Sequence, residues 1–284
     1  MTGVRVRVPA STANLGPGFD TLALALGLYL ELSIEPADAL EVHSGGHGAG
    51  LFDDERHLAV RVAREVLGHN NFKVTVDSQI PLARGLGSSA ALALAAATAA
   101  GALNPLAVAT AIDGHCENAA ASQRGGLIAA TVISGVPIVE SLSLDAELRF
   151  VLIIPEQQLA TDDAREVLPN AVAFKDATFN LARLALLIAG LADHSRLRSE
   201  AMQDRLHQRY RAPLLPFADA LLDSLVDAGA LASCWSGAGS AMLGVATSSS
   251  AASIGDAARS TLHSLGVAGE VVVLEADRAG LVVL

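Results

Sequence analysis

The chain has 284 residues, of which 51% are hydrophobic and 17% are charged, a balance that excludes an intrinsically disordered protein. Its length suits two domains or one large α/β unit, and its 4% of aromatic residues predict a core of Ala, Leu and Val. The net charge of −11 argues against nucleic acid and anionic membranes as partners, although it leaves room for a focused arginine pocket that binds a small anion.

Strand and helix signals alternate through the first half of the chain. They predict strands at residues 4–8, 29–34, 40–43 and 72–76, and helices starting near Gly18 and spanning residues 55–67 and 90–100. Asn104-Pro105 then predicts the cap and first turn of a further helix. Residues 85–112 carry no charge, but they are mostly alanine and are interrupted by this dipeptide. We therefore expect two packed helices there rather than a membrane span.

The second half begins with two strand signals, continues with helices and ends with alternating patterns. Strands are predicted at residues 127–133 and 149–154, and residues 176–227 are strongly helical with a break at Pro213 and Pro216. Strands at 231–235 and 241–246, a helix at 250–265 and a strand at 270–275 predict a split β-α-β layer. We place the boundary between two domains near residue 150, giving domains 1–150 and 151–284.

The two cysteines, Cys116 and Cys234, are far apart and form no Cys-x-x-Cys motif. Buried thiols in a reducing cytosol are the default interpretation of this usage. The first eight residues alternate like a strand and have no apolar signal core. We therefore expect a cytoplasmic protein, and the sequence leaves open whether it forms a homodimer.

One glycine- and serine-rich segment connects a predicted strand to a predicted helix and has the composition of an anion-binding loop. Its residues are Pro81, Leu82, Ala83, Arg84, Gly85, Leu86, Gly87, Ser88, Ser89, Ala90 and Ala91. The two glycines let the backbone approach a ligand, and the helix start offers unpaired N–H groups and partial positive charge. A phosphate suits this site, and a simple turn with a helix cap is the alternative.

The lysines exclude two other ways of holding a nucleotide. The chain has only Lys73 and Lys175, and neither follows a glycine-rich loop. The lysine-containing phosphate loop and the strand lysine of protein kinases are therefore both absent. The glycine-rich residues 44–50 lack a strand-to-helix context and are predicted to form a flexible loop.

Three motifs in sequence order resemble the GHMP small-molecule kinase superfamily. They are residues 9–20, which look like the homoserine kinase family in particular, residues 85–89 and residues 237–240. Further similar segments lie at residues 113–118, 161–169 and 205–213, and the last two are typical of homoserine kinases. The resemblance covers nearly the whole chain.

The resemblance implies an α+β fold, in which an N-terminal domain like the second domain of ribosomal protein S5 precedes a ferredoxin-like C-terminal domain. It also implies a reaction in which ATP phosphorylates L-homoserine to O-phospho-L-homoserine, a step toward threonine. Homoserine is a small zwitterion with a terminal hydroxyl group. Its site therefore needs an acid, a basic fork and neutral polar groups.

The residues that match the family supply these groups. Asp20 is expected to pair with the ammonium group, and Arg165 and Arg211 to hold the carboxylate with their two-pronged guanidinium groups. The hydroxyl end is assigned to three further residues, Asn14, His115 and Asn118. Without the resemblance, each arginine would be interpreted as part of a surface salt bridge and His115 as an interior histidine.

Phosphoryl transfer implies Mg²⁺ as well as ATP. Ser88 and Ser89 are expected to contact the β- and γ-phosphates, while Asp113 and Ser89 hold the metal, which prefers oxygen ligands. Catalysis then depends mainly on alignment and charge stabilisation, with Asn14, Ser89, Asp113 and Thr161 as the catalytic candidates. No strong general base is generally assigned in homoserine kinases.

The sequence departs from the family pattern at several positions. Asp113 stands where glutamate is usual, and Glu117 stands where aspartate is usual. An asparagine that contacts the nucleotide base in the family is replaced near His57. Two alternatives stay open: another GHMP kinase, acting on shikimate, mevalonate or a sugar, and a catalytically silent sensor with the same fold. The intact loop at residues 85–89 argues against the sensor.

Overall fold

In a computed structural model, which describes residues 3–284, the chain forms two sheets of mostly antiparallel strands with helices packed against them. Met1 and Thr2, which precede the predicted strand at residues 4–8, lie outside the described residues. Over residues 3–284, the first sheet has seven strands. Their bounds are β1 Val4–Asn14, β2 Gly18–Pro36, β3 Glu41–Gly46, β4 Phe72–Ser78, β5 Leu127–Ile133, β6 Val136–Leu142 and, from the C-terminus, β11 Val282–Val283.

The helix predicted from Gly18 is wrong, because this residue starts the 19-residue strand β2. Strand β2 runs antiparallel to β1, with Val4 opposite Ile34 and Asn14 opposite Gly18. Its residues 22–26 are all buried, so both faces of the strand are covered at this point. A strand buried on both faces has a continuous apolar run instead of an alternating one, and this removes the signal that would distinguish it from a helix.

The helices in the described part of the first half are α1 Leu58–Leu67, α2 Ser88–Ala99, α3 Pro105–Asp113 and α4 Glu117–Arg124. Helix α1 begins at Leu58, three residues later than predicted. It is preceded by the cap His57, whose Nδ1 accepts a hydrogen bond from Ala59 N at 3.2 Å. Asn104 caps α3 as expected, accepting from Ala107 N at 3.1 Å. Helix α2 buries alanines around most of its circumference, so residues 85–112 form two packed helices as predicted. Among the described residues, no helix is long and apolar enough to cross a membrane.

Within the described residues, the strands of the second sheet are β7 Leu148–Pro155, β8 Ala232–Trp235, β9 Met242–Thr247 and β10 Gly269–Leu274. Their order in the sheet is β10-β7-β9-β8, with all neighbours antiparallel. The helices of this half are α5 Thr161–Glu166, α6 Phe174–Ala192, α7 Gln208–Arg211, α8 Ala218–Asp227 and α9 Ala251–Ser264. The order confirms the predicted split β-α-β layer and the ferredoxin-like arrangement.

The division between the sheets differs slightly from the domain boundary expected near residue 150. Strand β6 ends at Leu142 in the first sheet, and Leu148 already begins β7 in the second. Strand β11 returns to the first sheet, where Val283 pairs with Val6. We therefore propose a domain boundary between residues 142 and 148, with the last strand assigned to the N-terminal domain.

The two halves share one continuous apolar core. Phe150 and Leu243, on one face of the second sheet, belong to the same buried cluster as Leu26 and Leu94 of the first half. A second cluster, with Trp235 at its centre, fills the opposite face beneath α8 and α9. This shared core fixes the loops of one half against the turns of the other, and the candidate site lies at that junction.

Candidate functional site

A cavity of about 220 Å³ lies between the two halves and brings together side chains from distant parts of the sequence. Most of the predicted site residues line it, and the full lining is Asn14, Ala83, Arg84, Gly85, Leu86, Gly87, Ser88, Ser89, Ala90, His115, Glu117, Asn118, Leu159, Thr161, Arg165, Arg211, Gly237 and Ala238. A larger groove of about 740 Å³ crosses the outer face of the first sheet, but it is open and contains none of the predicted site residues.

The predicted anion loop turns its carbonyl groups into the protein and its N–H groups away from it. Leu86 O accepts from Ser11 N at 3.1 Å, Gly85 O from Ser236 Oγ at 2.8 Å, and Arg84 O from Ala241 N at 3.1 Å. The N–H groups of residues 85–89 donate to no acceptor among the described residues. This row of free amides at the start of α2 is the arrangement that binds a phosphate.

Both loop glycines are required by backbone conformation and by close contacts. Gly85 has φ +72°, and a Cβ atom there would lie 2.0 Å from Ser236 O. Gly87 has φ +68°, and its Cβ would lie 2.2 Å from Ser11 Oγ. The loop therefore packs so closely between β1 and the turn at residues 236–240 that neither glycine leaves room for a side chain. This close packing explains why the sequence has glycine at both positions.

The two residues assigned to the metal are in contact. Ser89 Oγ donates a hydrogen bond to Asp113 Oδ1 at 2.9 Å, across 24 residues of sequence. Burial raises the pKa of Asp113, against the opposing effect of the Ser89 hydrogen bond. Asp113 is also the last residue of α3, where the helix dipole disfavours negative charge. A nearby cation would therefore stabilise this carboxylate.

Asp20 and Arg165, which were assigned to opposite ends of a zwitterion, form an ion pair with each other. Arg165 Nη2 donates to Asp20 Oδ1 at 2.7 Å and Nη1 donates to Oδ2 at 3.0 Å. This two-pronged geometry occupies both carboxylate oxygens. The side chains are 35% and 36% exposed, so the pair is partly open to solvent, and of the two residues Arg165 lines the cavity while Asp20 lies outside its lining.

Arg211 is only 1% exposed and is held by backbone and side-chain acceptors. Its Nε donates to Ala164 O at 2.9 Å, and its Nη1 contacts Gly237 O at 3.2 Å and His207 Nδ1 at 3.0 Å. Nη2 has no acceptor among the described residues. Burial lowers the pKa of Arg211 to about 10, and the charge of Arg165 acts in the same direction.

His207 is a buried neighbour of Arg211 that the sequence prediction did not single out. It is fully buried, and its Nε2 lies 2.8 Å from Gly16 O, so Nε2 carries the proton and Nδ1 is free to accept from Arg211. Burial lowers the pKa of His207 to about 4, so the ring is neutral at pH 7. The available signal was its position four residues before Arg211, one helical turn away.

Asn14 connects the two halves of the site. Its Nδ2 donates to Gly237 O at 2.7 Å, and its Oδ1 accepts from Asp20 N at 3.0 Å. Asn14, Leu15 and Asp20 all have positive φ values, of 72°, 44° and 49°. Such conformations are costly away from glycine and persist where the surroundings enforce them, often at functional sites.

His115, Glu117 and Asn118 form the remaining polar wall. His115 Nδ1 lies 3.0 Å from Glu117 Oε1 in a charge contact, and it forms no hydrogen bond with the described residues. The adjacent Glu117 raises the pKa of His115, although burial opposes this effect. Asn118 Oδ1 accepts a hydrogen bond from Ser11 Oγ at 2.9 Å, so Nδ2 of the same amide group points away from Ser11. Glu117 is 3% exposed and, like Gly237, was not among the predicted site residues.

Three residues of the predicted loop lie outside this cavity. Ala91 is fully buried in the core, and Pro81 lines a separate groove on the far side of the loop. Leu82 lines that groove and also a small apolar cavity of about 130 Å³, together with His57 and Phe52. Ser88 lines both this apolar cavity and the polar one, so the two adjoin at the start of α2.

The chemistry of the site suits a metal that phosphate oxygens help to hold. The described residues contain no group of three or more His, Cys, Asp or Glu side chains placed to bind a metal alone. Mg²⁺ is commonly bound by one or two protein carboxylates together with phosphates and waters. The Ser89–Asp113 pair, beside the free amides of the loop, fits that requirement.

Comparison with family models matches both halves of the chain. The model described as GHMP kinases N terminal domain matches residues 56–135, and the one described as GHMP kinases C terminal matches residues 184–264. The homoserine kinase of Desulfitobacterium hafniense is 34% identical, covering 99% of this chain and 100% of that protein. The homoserine kinase of Moorella thermoacetica is 41% identical, covering 82% and 84%.

Solved structures agree with the sequence comparisons. The crystal structure of homoserine kinase from Cytophaga hutchinsonii superposes with a TM-score of 0.87 at 26% identity, covering 100% of this chain and 98% of that one. A putative homoserine kinase from Listeria monocytogenes has a TM-score of 0.79 at 28% identity, covering 99% of each chain. The mevalonate kinase of L. major, at 17% identity and a TM-score of 0.70, shares the fold.

Proposed function

The chain belongs to the GHMP kinase family, among the homoserine kinases, and from this premise we propose that it phosphorylates L-homoserine with ATP. The products are O-phospho-L-homoserine and ADP, and the reaction is a step in threonine biosynthesis. One observation carries the proposal: a loop of free amides and a cluster of charged side chains suited to an amino acid line the same cavity.

ATP is proposed to bind across the start of α2. The free N–H groups of residues 85–89, with the hydroxyl groups of Ser88 and Ser89, contact the β- and γ-phosphates. The adjoining apolar cavity around Phe52 and His57 is then available for the base. Its position supports this assignment, because Ser88 forms part of both cavities.

Ser89 and Asp113 are the residues that would hold Mg²⁺. When bound, the metal would neutralise charge on the phosphate oxygens. Asp113 would supply the carboxylate. It is one methylene shorter than the glutamate usual in the family.

Homoserine is proposed to lie with its charged end toward Phe19 and its hydroxyl group toward the phosphates. Asp20 receives the ammonium group, while Arg165 and Arg211 bind the carboxylate. Both guanidinium groups lie near the Phe19 ring, at 5.7 and 5.4 Å from its centroid. Asn14, His115 and Asn118 orient the hydroxyl end.

Catalysis is proposed to depend on alignment rather than on a strong base. The hydroxyl oxygen attacks the γ-phosphorus, the bond to the β–γ bridging oxygen breaks so that ADP leaves with that oxygen, and the hydroxyl proton passes late in the step to an oxygen of the transferred phosphoryl group. The raised pKa of His115 favours a protonated ring beside the transferred group, where positive charge stabilises the equatorial oxygens. Thr161, exposed at the start of α5, helps to organise the centre.

A coupled assay of ADP release tests the proposal against the other members of the family. The purified protein is supplied with ATP, Mg²⁺ and one acceptor: homoserine, shikimate, mevalonate or galactose. Homoserine should be turned over far faster than the other three. Preference for another acceptor would reassign the substrate. If the protein binds ATP but releases no ADP with any of the four acceptors, the result would favour the silent sensor.

A cytoplasmic location is proposed from the two cysteines, which are both buried and free. A homodimer is a further proposal. Exposed apolar side chains on the β5–β6 hairpin, such as Ile133 and Val136, offer a surface for it. Sedimentation of the purified protein gives the mass that decides between monomer and dimer.

A further inference from the structure

The contact between Asp20 and Arg165 has the form of a substrate contact made within the protein. The Asp20 carboxylate occupies the guanidinium fork of Arg165 through two hydrogen bonds of 2.7 and 3.0 Å. A substrate carboxylate would need the same fork, and a substrate ammonium would need the same two oxygens of Asp20. Each residue therefore occupies the position that one end of a zwitterion requires.

The surroundings make this ion pair easier to open than the other charged contacts of the site. Both side chains are about one-third exposed, and partly exposed ion pairs contribute little net stability. Arg211, in contrast, is 1% exposed and anchored by Ala164 O, Gly237 O and His207. Arg165 can change partners without disturbing the fold, whereas Arg211 is fixed.

Arg211 adds a reason for an anion to enter once the pair opens. The two guanidinium groups flank the same Phe19 ring, and each lies within 6 Å of its centroid. While Asp20 is bound to Arg165, it also reduces the repulsion between the two cations. If Asp20 turns to another partner, both arginines need a new anion at the same place.

We propose that homoserine binds by ion-pair exchange, which rests on the proposed function. The ammonium group replaces Arg165 at Asp20, and the carboxylate replaces Asp20 at Arg165. One internal ion pair is exchanged for two contacts with the ligand, and no charge is left without a partner. A ligand that carries only one of the two charges would leave either Asp20 or Arg165 uncompensated. The exchange therefore selects for zwitterions.

Analogues of homoserine test the exchange in the unmodified protein. Removal of the amino group gives 4-hydroxybutanoate, removal of the carboxylate gives 3-aminopropan-1-ol, and removal of both gives propan-1-ol. Binding to the full chain is measured by calorimetry with a non-hydrolysable ATP analogue present. The amino alcohol should bind no more tightly than propan-1-ol, because its single charge cannot displace Arg165 without exposing a second one. Binding of the amino alcohol at least tenfold tighter than propan-1-ol would overturn the exchange.

Two variants provide a reciprocal test. Asp20→Asn frees Arg165, so 4-hydroxybutanoate should bind about fivefold tighter than it does to the unmodified protein, while homoserine binds at least tenfold more weakly. Arg165→Gln frees Asp20, so 3-aminopropan-1-ol should bind tighter by a similar factor. Asp256→Asn removes an exposed ion pair with Arg259 on α9, far from the site, and serves as the control that changes neither.

The failure of the exchange is distinguishable from the failure of the proposed function. If homoserine is phosphorylated but both site variants weaken every analogue, Arg165 only supports Asp20 and the exchange is wrong. If homoserine is not phosphorylated by the unmodified protein, the proposed substrate is wrong. Circular dichroism and thermal unfolding of each variant identify a loss of fold. If a variant does not fold, the binding of the analogues to the unmodified protein decides whether the exchange is correct.

Discussion

Replacement of Gly85 by alanine tests how strongly the anion loop depends on contact with the C-terminal half. The added Cβ would lie 2.0 Å from Ser236 O and 2.9 Å from both the N and O atoms of Gly239. Ordinary van der Waals contact begins near 3.4 Å, so backbone on one side must move by more than 1 Å. We expect this movement to disturb the amides that face the phosphates.

The magnitude follows from two costs. An alanine at φ +72° costs about 1–2 kcal/mol, since L-residues disfavour the left-handed region. The displaced backbone also strains two hydrogen bonds, from Ser236 Oγ to Gly85 O at 2.8 Å and from Ala241 N to Arg84 O at 3.1 Å. Each contributes about 1 kcal/mol, so Gly85→Ala should destabilise the fold by roughly 3–4 kcal/mol.

Gly50 supplies a matched control. It also has φ +72°, but a Cβ there meets no atom within 4 Å, so Gly50→Ala incurs only the backbone cost. Urea unfolding should give a loss of about 1–2 kcal/mol for Gly50→Ala and about 3–4 kcal/mol for Gly85→Ala. Calorimetry should give an unchanged ATP affinity for the control and a loss of about tenfold or more for Gly85→Ala. Equal destabilisation of the two variants, or normal ATP binding by Gly85→Ala, would refute the reasoning.

Asp113→Asn should lower turnover strongly without loss of fold, and excess Mg²⁺ or Mn²⁺ should partly restore it. Because the pKa of Asp113 is raised, the variant should also lose the acid limb of the pH–rate profile that this carboxyl group causes. Unchanged turnover would show that Asp113 does not hold the metal. Arg211→Lys and Arg165→Lys should each lose roughly 1.5–3 kcal/mol of transition-state stabilisation in kcat/KM, since a lysine can reproduce neither the two-pronged donor of Arg165 nor the guanidinium of Arg211, which is held through Nε and Nη1 and keeps Nη2 for the carboxylate. Near-normal kcat/KM in both would place the arginines outside the site. His207 has a pKa of about 4 in the fold but near 6.5 in the unfolded chain, so its contribution to stability is complete above pH 6.5 and is lost as the pH falls toward 4. Urea unfolding at pH 7 and pH 5 should show this loss, and His207→Gln should reduce it.

The sequence alone determined the features that depend on a few neighbouring residues. The loop at residues 85–89 was predictable because two glycines and two serines between a strand and a helix specify left-handed turns and an uncapped helix start. The cap at Asn104 was predictable from the Asn-Pro dipeptide. The succession of strand, strand, helix and strand at the end of the chain was predictable from the periodicity of each segment. The resemblance to homoserine kinases added the assignment of the site, which residue patterns had left open.

The tertiary structure decided which of these groups meet and which partners they have. Residues 22–26 of β2 are all buried, so no alternating pattern marked the first half of this strand in the sequence, whereas residues 30–34 alternate and were predicted as a strand. Asp20 and Arg165 are 145 residues apart in sequence, so their ion pair depends on how β2 and α5 pack across the junction. The same packing buries Glu117 and fixes Arg211 on His207 and Gly237. Turn and cap preferences act over a few residues, whereas the pairing of charges through space depends on the path of the whole chain.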